Sequence, residues 1–326
     1  MILTGDLGGT KTNLAIFADE KELNSPVAEQ SFESKTYNQL EDIIKEFLST
    51  HPSKISKACF GVAGPVINGT SKISNLIWTV SEERIRESLG IGQVKLLNDL
   101  ESMAYGTMLL RDDDVVVLNP GNPEKMGNIA IIAAGTGLGE AYLVQNEHCV
   151  HVIPSEGGHA DLAPRNEIEI EFLKFMLKEF EHVSYERALS GMGITNIYCF
   201  LRSYRGFREP EWLVQRFERE DRNAVISELA QKGNVPICEE AMRLFVGLYG
   251  AEAGNWALKT MSTGGVFIGG GIAPKILPLL RDGHFMETFL AKGRLSRVVA
   301  QFPVKVILNQ KTPILGALFY AQNYMR

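Results

Sequence analysis

Three times along the 326 residues an apolar run ends in a glycine-rich turn: Gly5-Asp6-Leu7-Gly8-Gly9-Thr10, Gly135-Thr136-Gly137-Leu138-Gly139 and Gly269-Gly270-Gly271. Short β-branched runs closed by glycine are strand signals. Glycine permits positive φ and lets backbone approach a ligand closely. Successive N–H groups of such a turn cradle phosphate oxygens without any side-chain charge. One such turn asks for no more than a chain reversal. Three in series, two with a threonine beside glycine, predict a phosphate-binding α/β protein.

Spacing excludes two familiar nucleotide motifs. A Walker A loop counted from Gly5 needs glycine where Thr10 stands, although Lys11-Thr12 follow. A dinucleotide fingerprint needs a helix after its loop, whereas strand-like AYLV follows Gly135–Gly139. A strand–turn–strand phosphate hairpin fits both loops.

The order of elements supports this. MILTGDL, TNLAIFAD and PVAEQSFES read as three strands joined by tight turns. Residues 38–49 carry a helical stripe of Leu40, Ile43, Ile44, Phe47 and Leu48. KACFGVAG, KISNLIWTV and QVKLLND read as strands, with a helix from a cap-like Ser81 and another over about 100–110. The stretch RDDDVVVLNPGNPEKMG reads as a charged loop. The pattern then restarts with NIAIIAAGTGLG, continues through helices at 167–180, 193–204, 223–231 and 237–259, and closes with VKVILN and a helix from about Pro313. We therefore expect two α/β domains, each a mixed sheet with flanking helices, with a boundary near Leu110. Their common opening suggests an internal duplication.

Composition narrows the function. The chain is 45% hydrophobic and 22% charged, ordinary for a globular protein. Its net charge of −6 and lack of basic runs argue against nucleic acid. No signal-like start and no apolar run of about 18 residues stand in it, so no membrane partner and a cytoplasmic location are expected. Cys59, Cys149, Cys199 and Cys238 are widely spaced and read as buried or half-buried thiols.

Several carboxylates are placed for chemistry. Asp6, inside the first phosphate turn, would repel an anion unless a divalent cation lay between them. It is the expected Mg²⁺ partner, through water. Its other reading is an Asx-turn residue. Asp99, where a strand gives way to a helix, is either an N-cap or a general base at a sheet edge. A sugar hydroxyl needs such a base to attack phosphorus near neutral pH. Glu156-Gly157-Gly158-His159 places an acceptor and a donor on one tight turn, suited to sugar hydroxyls. Glu186, within YERALSG, carries little weight alone.

Taken together, DLGGT, SNLIWTVS, LLNDLESMAYG, AGTGLGEAYLV, SEGGHADLAP, HVSYERALSG, GGVFIGGGIAP and PILGALFYA resemble the bacterial ATP-dependent glucokinase family, in that family's order and over nearly the whole chain. The resemblance implies the two-domain actin-like ATPase (ribonuclease H-like) fold, with an active-site cleft. The expected domains are 1–110, completed by a helix at 312–326, and 111–311. It also implies ATP and Mg²⁺, D-glucose as acceptor, and a homodimer. Asn75, Asn98, Asp99, Glu156, His159 and Glu186 would bind the sugar, with Asp99 as base for the 6-hydroxyl. Asp6, Gly8, Gly9 and Thr10 would contact phosphate and metal, Thr136 and Gly137 would face them, and Gly269, Gly270 and Gly271 would line the nucleotide pocket. Lys11 and CFGVAGPVING depart from the enterobacterial pattern. DLGGTK is shared with ROK sugar kinases and repressors, but no cysteine-rich segment follows His159 here. The rival readings are a kinase for another hexose, a sugar sensor without catalysis, a ROK-type repressor and an actin-like ATPase clamp.

Overall fold

A computed structural model describes residues 1–19, 25–73 and 76–325. The chain divides into two compact units, 1–114 with 309–326, and 115–308.

The first unit is built on a five-stranded sheet. Its strands are β1 (Ile2–Leu7), β2 (Lys11–Phe17), β3 (Ala28–Glu33), β4 (Lys57–Val62) and, after the short pair β5 (Thr70–Lys72) and β6 (Thr79–Ser81), β7 (Gln93–Asn98). The order is β3-β2-β1-β4-β7. β1 to β3 are antiparallel, while β1, β4 and β7 are parallel. Strand alternation sends Leu3, Leu7, Leu14 and Phe60 to one face, where they meet α1 (Leu40–Thr50) through Leu40, Ile43, Ile44 and Phe47. Each such side chain, fully buried, contributes roughly 1.5–3 kcal/mol. Against the other face lie α3 (Asp99–Gly106), which follows α2 (Glu82–Leu89), and the C-terminal helix Thr312–Tyr324.

The second unit repeats the plan. β9 (Ile129–Ala134), β10 (Leu138–Gln145) and β11 (Val150–Ser155) are antiparallel, and β12 (Gly265–Gly269) and β13 (Val304–Ile307) extend the sheet in parallel from β9. Strand order is β11-β10-β9-β12-β13-β8, where β8 is Val115–Asn119. Setting β8 aside, the sequence-order pattern 3-2-1-4-5 of the first sheet recurs strand for strand. This ribonuclease H-like sheet, present twice, is the actin-type arrangement. The long α8 (Pro236–Thr260) packs on β9 and β12, α5 (Gly191–Arg205) and α7 (Arg222–Lys232) pack on α8, α4 (Glu167–Met176) packs on α5, and α6 (Glu211–Arg219) packs on α7. Proline at the start of α8 costs nothing there, because the first N–H groups of a helix lack intrahelical partners.

Several sequence expectations are corrected. RDDDVVVLNPGNPEKMG is not all loop. Val115–Asn119 forms β8, an edge strand antiparallel to β13, whose half-buried residues and flanking charges hide the strand signal. KISNLIWTV is not one strand: Lys72 ends β5, Thr79 and Val80 belong to β6, and residues 74–75 lie outside the described residues. Ile73 and Trp78 both enter the core, and the Trp78 indole N–H donates to the Tyr37 carbonyl at 3.0 Å. β2 ends at Phe17 and β3 begins at Ala28, and the tight turn expected between them falls partly on residues 20–24, outside the described residues. Ser81 precedes α2 but its side chain makes no cap; the Glu82 N–H donates instead to the Gly69 carbonyl, 2.9 Å away. α4 stops at Met176, and α6 was missed because its charged sequence buries only Leu213. The four cysteines are free thiols, Cys59 and Cys238 buried and the others half-buried. Among the described residues no helix is long and apolar enough to cross a membrane.

The C-terminal helix holds the first unit together by close approach. A Cβ on Gly316 would lie 1.6 Å from the Ser102 carbonyl oxygen of α3, and the Ser102 hydroxyl donates to the Pro313 carbonyl at 2.7 Å. Gly316→Ala should therefore destabilise the protein by about 2–4 kcal/mol in chemical denaturation, since backbone cannot yield as a side-chain tip can. Gly90→Ala, at a left-handed helix end with nothing near the added Cβ, should cost only about 1 kcal/mol. Equal losses for the two variants would contradict this packing.

Candidate active site

The first phosphate turn joins β1 to β2 in three residues. The Gly8 N–H donates to the Lys11 carbonyl at 2.9 Å. Ser34, just past β3, braces the turn from inside: its hydroxyl donates to the Gly8 carbonyl at 2.8 Å and its N–H to the Thr10 carbonyl at 2.9 Å. The carbonyls of Gly8 and Thr10 are thus engaged internally. Among the described residues the N–H groups of Gly9 and Thr10 donate no hydrogen bond, and Thr10 is exposed. Backbone donors this close together and unpaired are an anion cradle. Sequence reasoning did not pick out Ser34; a serine closing an alternating strand is too common a signal.

The second turn has the same design. The Gly135 N–H donates to the Gly137 carbonyl at 2.8 Å, and the Gly135 carbonyl accepts from the Gly191 N–H at the start of α5, at 2.9 Å. The N–H groups of exposed Thr136 and of Gly137 donate to no described residue. Gly269, Gly270 and Gly271 lie beside this turn, because β12 runs parallel to β9 with Gly269 opposite Ala133. Gly270 has φ +84°, and a Cβ there would stand 2.2 Å from the Ala134 carbonyl oxygen. Only glycine fits that position. The buried Tyr249 hydroxyl of α8 ties the ends of both strands, lying 3.3 Å from the Ile132 carbonyl and 3.4 Å from that of Gly269. The structure therefore gathers Thr136, Gly137 and Gly269–Gly271 at one end of the second sheet.

In the first unit the carboxylates converge. Asp6 projects from the face of β1 on which α3 lies, and Gly61, its partner on β4, allows that approach. A Cβ on Gly61 would be 2.8 Å from Ser102 Cβ and 3.8 Å from the Asp99 Cα. Asn98, not Asp99, caps α3. Its side-chain oxygen accepts from the N–H groups of Leu100 (3.0 Å) and Glu101 (3.4 Å), and the Glu101 carboxylate accepts the Asn98 N–H to complete a capping box. The Asn98 amide also donates to the Gly64 carbonyl at 3.1 Å. Asp99 is thereby the first helical residue, with its charge near Asp6. Burial first, then the Asp99 charge, raise the Asp6 carboxyl to about 6, against a hydrogen bond from Asn13 that lowers it. Two carboxylates so placed favour a proton or a hard cation between them. Oxygen ligands of this kind suit Mg²⁺. Gly61 was also missed, although a glycine inside a strand is a known sign of close approach.

In the second unit Glu156 precedes and His159 closes a single 3₁₀ turn after β11, and both are exposed. Glu186 lies on another 3₁₀ turn, Tyr185–Arg187, and accepts the Leu138 N–H at 3.0 Å through one carboxylate oxygen. It is therefore bonded to the phosphate turn as well as being a candidate for sugar. Asn75 lies outside the described residues.

The glucokinase family model matches residues 3–324. Glucokinase from Nostoc sp. is 42% identical over 98% of each chain. The solved glucokinase from an Antarctic psychrotroph superposes with a TM-score of 0.87 at 31% identity, covering 98% of this chain and 97% of that one. A glucokinase from Balamuthia mandrillaris, solved in complex with glucose, has a TM-score of 0.77 at 18% identity over 98% of this chain and 93% of its own, a likeness of fold. With matches that run from the first strand to the last helix, the chain belongs to the glucokinase family.

Proposed function

We propose that the protein transfers the γ-phosphoryl group of ATP to the 6-hydroxyl of D-glucose, giving glucose 6-phosphate and ADP, the entry step of glycolysis. The observation that carries this reading is the pair of hairpin turns with engaged carbonyls and unpaired N–H groups, one of them beside the Asp6–Asp99 carboxylates. Membership of the glucokinase family supports the choice of sugar.

In this reading Gly8, Gly9 and Thr10 of the first unit and Thr136 and Gly137 of the second take phosphate oxygens, while Gly269–Gly271 accommodate the nucleoside. Asp6 would hold Mg²⁺ through water, and the bound metal would supply neutralising charge to the phosphates. Asp99 accepts the proton of the attacking hydroxyl. Glu156, His159 and Glu186 bind the remaining hydroxyls, together with Asn75 and Asn98. Asn98 has one amide hydrogen to give, since its oxygen and other hydrogen are spent on α3 and Gly64. Catalysis is then mostly positioning and electrostatic complementarity. A cytoplasmic homodimer is what the family resemblance implies.

Asp99→Asn should leave glucose affinity within roughly tenfold of wild type in calorimetry while kcat falls by about 10²–10⁴-fold, the range for loss of a general base. A variant with near-normal kcat would remove Asp99 from that role. Chelating Mg²⁺ should abolish turnover and leave glucose binding intact, and Asp6→Asn should raise the Mg²⁺ concentration for half-maximal rate by about tenfold. An unchanged Mg²⁺ requirement in that variant would free Asp6 of the metal.

A further inference from the structure

Beneath the Glu156–His159 turn lies a carboxyl that the chemistry above does not use. Glu140, on β10 between Ile132 of β9 and Ser155 of β11, is fully buried, and neither of its oxygens meets a hydrogen-bond partner. The turn lies directly on it. A Cβ on Gly157 would be 2.1 Å from Glu140 Oε2, and a Cβ on Gly158 would be 2.0 Å from the Leu138 carbonyl oxygen. The two glycines of EGGH thus let the turn settle over β10 at Leu138 and Glu140. They are there for contact below as much as for the bend.

The same carboxyl faces α8. Glu252, also fully buried, is the like charge that acts on it, and Lys259 is the opposing one. The Tyr249 hydroxyl feels the Glu140 charge from the same helix. Glu252 is hydrogen-bonded to the Tyr185 hydroxyl and to Asn255, the latter at 2.8 Å, and Lys292 donates to Asn255 at 2.7 Å and to the Ala251 carbonyl at 2.8 Å. Tyr185 is the neighbour of Glu186. One buried polar group therefore runs beneath both turns that carry the second unit's sugar ligands.

We propose that Glu140 is a positioning residue for sugar binding: its neutral carboxyl is the seat of the Glu156–His159 turn, and its ionisation lifts that turn and weakens the grip on the sugar. The proposal rests on the assignment of Glu156 and His159 to the sugar. An ionised carboxylate with no hydrogen-bond donor is costly, and the glycine backbone above Oε2 is the cover it would have to displace to reach water. Burial first, then the Glu252 charge, push the Glu140 carboxyl up to about 8, while Lys259 pulls the other way. The sign follows: the neutral form prevails at pH 7, and whatever depends on it is lost as pH rises through 8. Burial lowers Lys292 to about 8 as well, so a variant is needed to separate the two.

The test is the glucose KM, the ATP KM and kcat of wild type, Glu140→Gln and Glu156→Ala from pH 6.5 to 9.5. Glutamine mimics the neutral carboxyl in shape and leaves Lys292 in place. Wild-type KM for glucose should rise by about tenfold between pH 7 and 9.5, whereas the glutamine variant should stay within about twofold, with the ATP KM of both following one curve. A glutamine variant that tracks the wild-type rise overturns the proposal. Glu156→Ala separates the two levels: if it keeps wild-type glucose affinity, the sugar assignment itself fails, and if it loses affinity while Glu140→Gln tracks wild type, only the role of Glu140 fails. Calorimetry on the wild type asks the same question without a variant. Glucose binding at pH 8 to 8.5, compared in buffers of different ionisation enthalpy, should take up protons, and binding with no uptake overturns the proposal.

Discussion

A tight turn between antiparallel strands has more polar backbone groups than its own ladder can satisfy. In both hairpins of this protein the carbonyls are taken up from inside, by Ser34 at the first and by Gly191 at the second, and the N–H groups are left facing outward. Everything chemical in the molecule depends on that asymmetry. An acidic chain with a net charge of −6 can bind a polyanion only if positive potential is supplied locally. Oriented N–H dipoles supply it without lysine or arginine.

The remaining parts serve to hold those turns and carboxylates in register. Gly61 lowers the first turn of α3 onto the sheet, so that Asp99 comes near Asp6 without a long loop. The Asn98 capping box fixes that helix start from within. In the second unit Gly270 brings the end of β12 against Ala134, beside the turn at Gly135–Gly137, and Tyr249 fastens the two strand ends from α8. Sites built this way sit on rigid elements, which is what positional catalysis demands.

The parts of this plan most legible in the sequence were those with a local signal. The glycine turns mark both hairpins because no other residue makes the turn and admits a ligand together. Asp6, Asp99 and the EGGH segment stood out because polar residues at strand ends have few structural reasons to be there. What stayed hidden was non-local. Ser34 braces a turn 24 to 26 residues before it in the chain, Glu140 looks like any outward residue of an alternating strand, and Gly61 gains its meaning only when α3 lies upon it. β8 escaped because an edge strand with half-buried residues has no alternation to show. The shared strand order of the two sheets is likewise invisible in residue identity, since sheet topology constrains burial and turns far more than it constrains side chains.

If the turns and carboxylates move phosphate to a hexose, the protein must consume ATP only when a sugar is present. The direct measurement is ATP consumption against a panel of hexoses with Mg²⁺ present, coupled to identification of the phosphorylated product. The account predicts turnover that requires a sugar, is fastest with glucose, and yields glucose 6-phosphate. Tight glucose binding without phosphoryl transfer to any hexose would contradict it and leave a sugar sensor that keeps the site but not the chemistry.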